Sequence, residues 1–327
     1  MEKKSITAKN VVVTGGAGFV GSHLCDQLLS LEPSKLVIID NFSLGKERNI
    51  KALVGKAKVY SSDASDITKM ESIFESESVD IVFNLAVVPL PKSLQFPKET
   101  VDSNILITTT MCELLRRKYY ETLIHCSSSE AYGTALYLPM DENHPQKPLT
   151  PYAASKISGD HVVISYYKTF SLDVAIARPF NAYGPRQNEH SYAGVIPITI
   201  ERLLTGKAPI IHGDGLQTRD YTYVEDTADA IRLIYDFPDT RGQIINIASE
   251  NEISIKDIIS LISKFTGYDG EIIHEDTRPG DVRRHKGDSS LARKLISYSP
   301  KTDFQTGLQK TIEWYKTEWL KTKQIAV

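Results

Sequence analysis

Two groups of side chains in this sequence have the types and the spacing that acid–base chemistry needs. The first is a run of three serines and a glutamate at residues 127–130, which directly follows the apolar run 122–126. The second is Tyr152 and Lys156, which share one face of a helix that Pro151 is expected to open. A capped turn would explain one serine, and a surface helix would explain an isolated Tyr-x-x-x-Lys pair. Together with the fold described next, the two groups predict catalysis.

The element that must position these groups begins near the N-terminus. Residues 11–13 are a short β-branched apolar run, which predicts a buried strand. Glycines follow in the frame G-x-G-x-x-G, with one additional glycine before it: Gly15, Gly16, Gly18 and Gly21. A helix is expected to begin near Gly18, and backbone N–H groups at such a helix start bind phosphate. The pattern therefore predicts a site for a dinucleotide pyrophosphate, although glycines alone would also form a flexible turn.

A second apolar run favours the dinucleotide interpretation over the flexible turn. Residues 36–39 end in Asp40, which stands nineteen residues after Gly21. A carboxylate at that position can accept hydrogen bonds from both ribose hydroxyls, and it would repel a 2′-phosphate. The sequence therefore predicts NAD, rather than NADP, as the cofactor.

Alternating apolar runs and helix signals continue along the chain and predict its fold class. Further strands are expected at 57–60, 79–83, 122–126 and 173–177, and helices at 66–74, 97–118, from 151, and around 306–321. This alternation indicates an α/β fold with a Rossmann-type doubly wound parallel sheet, which collects ligands at the carboxyl ends of its strands. We expect an NAD-binding domain over residues 1–180, with a return segment near 220–248. A smaller C-terminal substrate-binding portion is expected over 181–327.

Two loops of the predicted sheet could face a ligand. Asp63 follows the third expected strand, where its carboxylate could meet the edge of an adenine or could only cap a turn. Residues 87–93 are mostly apolar and contain two prolines. We expect them to form a shaped loop across the mouth of the sheet, without a regular helix.

Composition narrows the class of protein further. The 38 Lys and Arg against 41 Asp and Glu give a net charge of -3, so no basic surface indicates a nucleic-acid partner. The N-terminus has no apolar core of signal-peptide length, and no run approaches the ~20 apolar residues of a membrane span, which predicts a cytoplasmic protein with no membrane partner. The three cysteines, Cys25, Cys112 and Cys126, are scattered. We therefore expect small buried thiols, with no disulfide framework and no metal site.

The motifs of this chain closely resemble those of one known family. They are the glycine loop 14–21, Asp40, Asn84-Leu85-Ala86, the sequence SSSEAYG at 127–133, Tyr152 with Lys156, and the sequence RPFNAYGPR at 178–186. The combination resembles the extended short-chain dehydrogenase/reductase family and, within it, the branch of nucleotide-sugar epimerases and dehydratases. The resemblance runs from about residue 10 to about residue 299. It is much more specific for the branch than for the reaction.

The resemblance implies a role for each catalytic candidate. Tyr152 would remove the proton of the sugar 4-hydroxyl, Lys156 would lower the pKa of that phenol and hold the nicotinamide ribose, and Ser128 would hydrogen-bond the same sugar oxygen. A free phenol has a pKa of ~10, so a tyrosinate at neutral pH needs a nearby ammonium and the cationic nicotinamide.

The resemblance also implies contacts with the cofactor and the substrate. In addition to Tyr152 and Lys156, cofactor contacts are expected from Gly15, Gly18, Phe19, Val20, Gly21, Asp40, Asn41, Asp63, Ala64, Leu85 and Ala86. Substrate contacts are expected from Ser93, Asn181, Val195, Arg219, Arg278 and Asp281. A planar guanidinium suits a diphosphate, although a single arginine is more often part of a surface ion pair.

Glu130 bears on which reaction is catalysed. Sugar 4-epimerases of the branch usually lack a carboxylate there, whereas dehydratases have a glutamate two positions after the Ser or Thr. Once C4 is a ketone, a carboxylate can remove the acidified C5 proton while the C6 hydroxyl leaves as water. Ser129 also joins the catalytic candidates, because it stands where many dehydratases carry an aspartate as the acid. Ser-Glu also occurs in GDP-mannose-type dehydratases and in UDP-glucuronate decarboxylases.

We therefore predict an NAD-dependent nucleotide-sugar dehydratase, a 4,6-dehydratase in the first place, or a 5,6-dehydratase if the hydride returns to C4. The enzyme alternatives are a nucleotide-sugar 4-epimerase and then a UDP-glucuronate decarboxylase. A NAD-sensing regulatory protein on the same fold is the alternative from another class, but it would not need Ser128, Tyr152 and Lys156. The expected small-molecule partner is a nucleoside-diphosphate sugar, with UDP as the first candidate.

A homodimer is also expected from the resemblance. In relatives, the helix after the fourth strand and the helix that carries the tyrosine form a two-fold interface of four helices. Apolar residues on these two predicted helices could supply it here, or they could all face the sheet instead: Ile105, Leu106, Met111, Leu114, Val162, Val163 and Tyr166.

Overall fold

The computed structural model describes residues 3–188, 194–277 and 282–325, with side chains described up to residue 318. Its strands are β1 (Asn10–Thr14), β2 (Lys35–Asp40), β3 (Lys58–Ser61), β4 (Ile81–Asn84), β5 (Thr122–Cys126), β6 (Val174–Pro179), β7 (Asn181–Tyr183), β8 (Ile210–His212), β9 (Thr218–Tyr223), β10 (Ile244–Ile247), β11 (Glu252–Ser254) and β12 (Ile273–Glu275). Its helices are α1 (Phe19–Leu29), α2 (Ile67–Glu77), α3 (Leu90–Ser93), α4 (Pro97–Arg116), α5 (Pro151–Phe170), α6 (Val195–Leu204), α7 (Val224–Asp236), α8 (Ile255–Thr266), α9 (Ser290–Ile296) and α10 (Phe304–Ile325). Short 3-10 helices cover Glu47–Leu53, Ser129–Tyr132 and Pro238–Thr240.

A parallel sheet of seven strands forms the centre of the fold, in the order β10-β6-β5-β4-β1-β2-β3. The strand order reverses between β1 and β4, and in sheets of this kind ligands bind at that crevice. The carboxyl ends of β1, β4 and β5 therefore lie side by side and carry the glycine loop, residues 85–93 and the serine run. This is the Rossmann-type doubly wound fold that the alternating sequence predicts.

Both faces of the sheet are covered, which explains why its strands are apolar along their length. On one face, side chains of α1, α7 and α9 form a hydrophobic core with alternate strand residues such as Val11, Val13 and Ile38. On the other face, α2, α4 and α5 pack against Val12, Val37 and the remaining strand residues. Successive strand residues serve the two cores in turn because side chains alternate across a strand.

The C-terminal portion forms a smaller layer beside the sheet. Strands β11, β9 and β7 form one sheet, and β12 pairs with β8. Helices α6, α8 and α10 pack around a third core that contains Tyr183, Tyr223 and Leu308. The chain then returns twice to the large sheet, because α7 contributes to the core on the α1 face and β10 pairs with β6.

Most predicted element bounds lie within two residues of the observed ones, and the expectation for residues 87–93 was wrong. Residues 87–93 do contain a helical turn, α3, because Pro91 stands in its first turn, where a missing N–H costs no hydrogen bond. Three of the seven apolar residues proposed for a dimer interface, Met111, Leu114 and Val163, are fully buried in the core under the sheet. They are not available to a partner.

Three findings concern the described residues only. No helix among them is long and apolar enough to cross a membrane. No three His, Cys, Asp or Glu side chains of the described ranges come together as metal ligands. Cys25 and Cys112 are buried thiols, whereas Cys126 is only partly buried and therefore departs from the expectation of full burial.

Candidate active site

The glycine loop between β1 and α1 is packed so closely that side chains cannot enter it. Gly15 has a φ of +69°, and a Cβ added to it would lie 2.8 Å from the amide nitrogen of Ala86. A Cβ at Gly21 would lie 2.2 Å from the carbonyl oxygen of Gly15. Gly18 is the N-cap of α1, with no side chain capping the helix. The bare helix start, followed by Phe19 and Val20 in its first turn, fits the pyrophosphate of a dinucleotide.

A buried polar relay joins this loop to the next two strand ends. The Thr14 hydroxyl donates to Asn84 Oδ1 at 2.7 Å, and Asn84 Nδ2 lies 3.1 Å from His125 Nδ1. Thr14 Oγ1 also accepts the N–H of Ala86 at 3.2 Å, which fixes the Leu85–Ala86 backbone against Gly15. Motif reasoning identified Asn84 but missed His125, because their contact depends on the parallel pairing of β4 with β5.

Asp40 lies at the end of β2, buried beside the glycine loop. Its carboxylate accepts the N–H of Ala17 at 3.0 Å and the N–H of Phe42 at 2.9 Å. Burial raises the pKa of this carboxyl, and the two backbone hydrogen bonds oppose that rise. The side chain is therefore tied to the loop that it must complement if the loop holds a dinucleotide.

Asn41 and Asp63 meet at the carboxyl ends of β2 and β3. Asn41 Nδ2 donates to Asp63 Oδ2 at 2.9 Å. Burial opposes the charged form of Asp63, but hydrogen bonds from the Ser65 hydroxyl and amide, together with Asn41, outweigh it and lower the pKa of the carboxyl. The turn contact with Ser65 is the second of the two roles that the sequence allowed for Asp63. Ala64, the next residue along the chain, is buried.

The two groups of reactive side chains come together at the end of β5. Ser128 caps the 3-10 helix Ser129–Tyr132, because its hydroxyl oxygen accepts the N–H of Glu130 at 3.3 Å. Tyr152 on α5 makes a side-chain hydrogen bond with Ser128, and Glu130 is close enough for its charge to act on the phenol. Lys156, one turn further along α5, donates from Nζ to the carbonyl oxygen of Cys126 at 2.6 Å.

Burial dominates the electrostatics of this cluster. It raises the pKa of the Tyr152 phenol, with the Ser128 hydrogen bond opposing the rise and Glu130 adding to it. Burial also lowers the pKa of Lys156, against the nearby charge of Asp160. The surrounding protein groups thus raise the pKa of the phenol, whereas the resemblance implies that Lys156 lowers it.

A fully buried ion pair stands behind the cluster. Arg178 donates from Nη2 to Asp160 Oδ2 at 2.6 Å, and the two side chains are 0% and 1% exposed. The Ser127 hydroxyl donates to the same carboxylate oxygen at 2.6 Å, and the guanidinium lies 4.7 Å from the ring centroid of Tyr132. Sequence reasoning missed this pair. The signal available was the spacing of Asp160 four residues after Lys156, on the same helix face.

Ser129 differs from the other catalytic candidates, because it is buried within the 3-10 helix and only 2% exposed. Its carbonyl oxygen lies 3.1 Å from Nε2 of His285. His285 is 0% exposed, and burial lowers its pKa to about 3, with the nearby Arg219 as a second cause. No motif indicated His285, since it is distant in sequence from every other candidate.

The predicted substrate contacts are distributed over the C-terminal portion and the mouth of the sheet. Asn181 begins β7, and its Oδ1 is buried without a hydrogen-bond partner in the described part of the chain. Arg219 on β9 donates to the carbonyl oxygen of Val282 at 2.5 Å. Val195 begins α6, and the Ser93 hydroxyl donates to the carbonyl oxygen of Leu90 at 2.7 Å. Arg278 and Asp281 lie outside the described residues.

A cavity of about 300 Å³ lies beside β8 and was not predicted. His212, Asp214, Gln217 and Arg283 supply its polar lining, and Arg283 forms a two-pronged ion pair with Asp214 at 2.8 and 2.9 Å. Except for the buried Gln217, these residues are exposed or partly exposed, and all belong to short strands and turns, where sequence patterns are weakest.

Comparison with known proteins agrees with this geometry. The model of the GDP-mannose 4,6-dehydratase family matches residues 12–311. A putative UDP-glucose 4-epimerase of Methanocaldococcus jannaschii is 34% identical over 307 residues, which cover 94% of this chain and 98% of the relative. Other relatives are named as dTDP-glucose 4,6-dehydratases and as a UDP-N-acetyl-alpha-D-glucosaminuronate decarboxylase.

Solved structures are similar over nearly the whole chain. The UDP-glucose 4-epimerase of Thermotoga maritima, solved with UDP-glucose, is 31% identical with a TM-score of 0.90, and the match covers 95% of this chain and 99% of that one. A dTDP-glucose 4,6-dehydratase from Streptomyces venezuelae, solved with NAD, is 26% identical with a TM-score of 0.88, and the match covers 94% and 98% of the two chains.

Proposed function

We propose that this chain is an NAD-dependent nucleotide-sugar dehydratase. The premise is that the chain belongs to the extended short-chain dehydrogenase/reductase family of nucleotide-sugar epimerases and dehydratases. A 4,6-dehydratase is the first candidate, and a 5,6-dehydratase differs from it only in where the hydride returns. The observation that carries the proposal is the place of Glu130 in the 3-10 helix after β5, near enough to Tyr152 for its charge to add to the raised pKa of the phenol. An enzyme that only epimerises C4 has no use for that carboxylate.

The residues around the glycine loop fit NAD. Gly15, Gly18 and Gly21 leave room for a pyrophosphate at the start of α1, and Asp40 lies within reach of the same loop for the ribose hydroxyls. NAD, when bound, supplies the hydride acceptor for oxidation of a sugar carbon. We assign Phe19, Val20, Asn41, Asp63, Ala64, Leu85 and Ala86 to the walls of the same site.

Tyr152 is assigned as the base for the 4-hydroxyl. Burial raises the pKa of its phenol, so the phenolate forms only if a cation stands beside it. Lys156 is such a cation, fixed by its bond to the Cys126 carbonyl. The Ser128 hydroxyl is assigned to the same sugar oxygen, because it already hydrogen-bonds the Tyr152 phenol while its oxygen accepts the Glu130 N–H.

Glu130 is assigned as the base for C5. After C4 has become a ketone, the C5 proton is acidic enough for a carboxylate to remove it. The C6 hydroxyl then needs a proton in order to leave as water. We assign this proton to Glu130 as well, because the buried hydroxyl of Ser129 has far too high a pKa to serve as a general acid near neutral pH.

The substrate is proposed to be a UDP-sugar, held by Asn181, Val195 and Arg219 of the C-terminal portion. Ser93, Arg278 and Asp281 complete the assignment. The UDP-sugars in the names of several relatives support this choice. Residues 1–180 with the return segment near 220–248 would bind NAD, and residues 181–327 the nucleotide sugar.

A homodimer is proposed through α4 and α5. Leu106 is 52% exposed on the outer face of α4, and Ile105, Val162 and Tyr166 are only partly buried beside it. A two-fold pairing of the two helices would cover these residues on both subunits.

The decisive experiment is incubation with UDP-, GDP- and dTDP-sugars, followed by mass spectrometry of the products. Loss of water from one sugar nucleotide is the expected result. An unchanged mass with altered stereochemistry would instead identify a 4-epimerase, which the name of the M. jannaschii relative favours. Loss of carbon dioxide would identify a UDP-glucuronate-type decarboxylase, which the named decarboxylase relative favours. No change in any sugar would return the chain to a NAD-sensing role.

A further inference from the structure

Residues 282–288, here called the connector, lie between β9 on one side and, on the other, the loop that follows the 3-10 helix Ser129–Tyr132. Its first side is bonded to three successive residues of β9. Thr218 N donates to Arg283 O at 3.0 Å, Arg219 Nη1 donates to Val282 O at 2.5 Å, and Gly287 N donates to Asp220 Oδ2 at 3.1 Å.

The opposite side of the connector is bonded to the loop after Gly133. Ala135 N donates to Arg284 O at 3.2 Å, and Met140 N donates to Lys286 O at 2.8 Å. The bridge between Met140 and Gly287 continues this pairing. The backbone of the connector is thus hydrogen-bonded on both sides, which makes it a rigid platform for any side chain that it presents to the active site.

His285 is presented from this platform to the catalytic 3-10 helix. Its Nε2 lies 3.1 Å from the carbonyl oxygen of Ser129. Since a carbonyl oxygen only accepts hydrogen bonds, Nε2 must carry the proton. The ring is fully buried and packs on Phe180, with 5.0 Å between the ring centroids. Water therefore does not compete for the bond to Ser129.

The peptide between Ser129 and Glu130 is consequently bound at both ends. Its carbonyl accepts from His285, and its N–H donates to Ser128 Oγ at 3.3 Å. A peptide group is planar, so two bonds in opposite directions fix the orientation of its plane. That plane fixes the position of the Glu130 Cα, and the bond from Gly133 N to Glu130 O at 3.1 Å holds the carbonyl on the other side of it. Together they set the direction in which the Glu130 side chain leaves the backbone.

We propose that His285 is a positioning residue that orients the Glu130 carboxylate through the Ser129–Glu130 peptide. This inference rests on the proposed dehydratase function and assigns His285 to the elimination step. Oxidation at C4 depends first on Tyr152 and Lys156, which α5 and the bond from Lys156 to the Cys126 carbonyl hold without His285. The two steps should therefore respond differently to a change at this position.

The test compares His285→Gln with His285→Asn in the full-length protein. The glutamine amide places an N–H donor near the position of the imidazole Nε2, whereas the shorter asparagine places it near Nδ1, out of reach of the Ser129 carbonyl. Both variants are uncharged and similar in polarity. With the sugar nucleotide that the wild type dehydrates, we expect His285→Asn to lose water release by about 10- to 100-fold, the cost of a misplaced catalytic group. His285→Gln should recover most of that loss.

Three further measurements separate positioning from general damage. Reduced nicotinamide should accumulate on His285→Asn during turnover, because oxidation continues while elimination is slow. The KM for the sugar nucleotide and the calorimetric affinity for NAD should stay close to the wild-type values. Equal water release in the two variants would overturn the proposal, and so would an equal loss of oxidation and elimination in His285→Asn. Absence of water loss in the wild type is a separate result, which overturns the dehydratase assignment and this inference with it.

Discussion

Replacing Glu130 by glutamine should separate the two chemical steps of the proposed reaction. The substitution keeps the length of the side chain and the backbone N–H that donates to Ser128, so the caps and turns of the site should survive. It removes the base assigned to C5. General-base removal typically costs 10²- to 10⁴-fold in rate, or about 3 to 5 kcal/mol of barrier. Water release should fall by that factor.

The same substitution should leave oxidation at C4 intact and change its pH dependence. Burial is the main cause of the raised pKa of Tyr152, and the charge of Glu130 adds to it. Removing that charge lowers the pKa of the phenol, so the phenolate forms at lower pH. The acid limb of the oxidation step should therefore move to lower pH in Glu130→Gln.

Stopped-flow absorbance of reduced nicotinamide, read in parallel with the mass of the released sugar nucleotide, measures both steps. Tyr152→Phe is the matched control, because it also changes one functional group of the cluster at nearly constant size but blocks the first step. We expect no reduced nicotinamide with Tyr152→Phe and its accumulation with Glu130→Gln. Full turnover by Glu130→Gln, with no loss of water from any sugar nucleotide by the wild type, would refute the reasoning and favour the 4-epimerase.

Three other expectations follow from the described contacts. Asp40→Ala should weaken the binding of NAD by about 10- to 100-fold, as expected for lost hydrogen bonds to a charged group. In a binding titration, it should also raise the affinity for NADP relative to NAD. A wild type that already prefers NADP would contradict the cofactor assignment. Leu106→Glu should convert a dimer to a monomer in light scattering at micromolar concentration, and a monomeric wild type would disprove the α4–α5 interface. Burial opposes the charge of Glu77, but Lys58 and Tyr60 outweigh it and lower its pKa from 4.5 to about 2. Its stabilising effect is therefore complete above pH ~4.5 and is lost as the pH falls toward ~2, so Glu77→Gln should cost at most about 3 kcal/mol of unfolding free energy at pH 7 and much less at pH 3, as measured by denaturant titration.

Much of the fold could be predicted because its signals are local. The strands of the large sheet are continuous apolar runs, so β2 and β5 follow directly from the sequence. The helix starts at Asp66 and Thr150 could be predicted for the same reason, because each cap lies beside the residues that it serves. The turn α3 was missed because a proline inside a short apolar stretch looks like a helix breaker, whereas its tolerance depends on its position in the turn.

The support of the site could not be predicted because it is built from contacts distant in sequence. Asp160 meets Arg178 only after α5 has packed beside β6, and His125 meets Asn84 only after β4 and β5 have paired. His285 comes from the far end of the chain. Motifs identify the groups that face a ligand, since these recur at fixed spacing. They do not identify the buried groups that orient them, since those are set by tertiary packing.

A fragment of this molecule that ends before β10 lacks one edge strand of the large sheet. The strand lies at the edge beside β6 and is contributed by residues 244–247, far beyond the first 180 residues. In a chain that is cut after residue 180, β6 would be an edge strand. Its N–H and C=O groups that normally pair with β10 could then pair with an extended segment of another chain. Such fragments tend to aggregate. During synthesis, the same edge of β6 stays unpaired until residues 244–247 have left the ribosome. β10 is therefore the last strand that can join the large sheet.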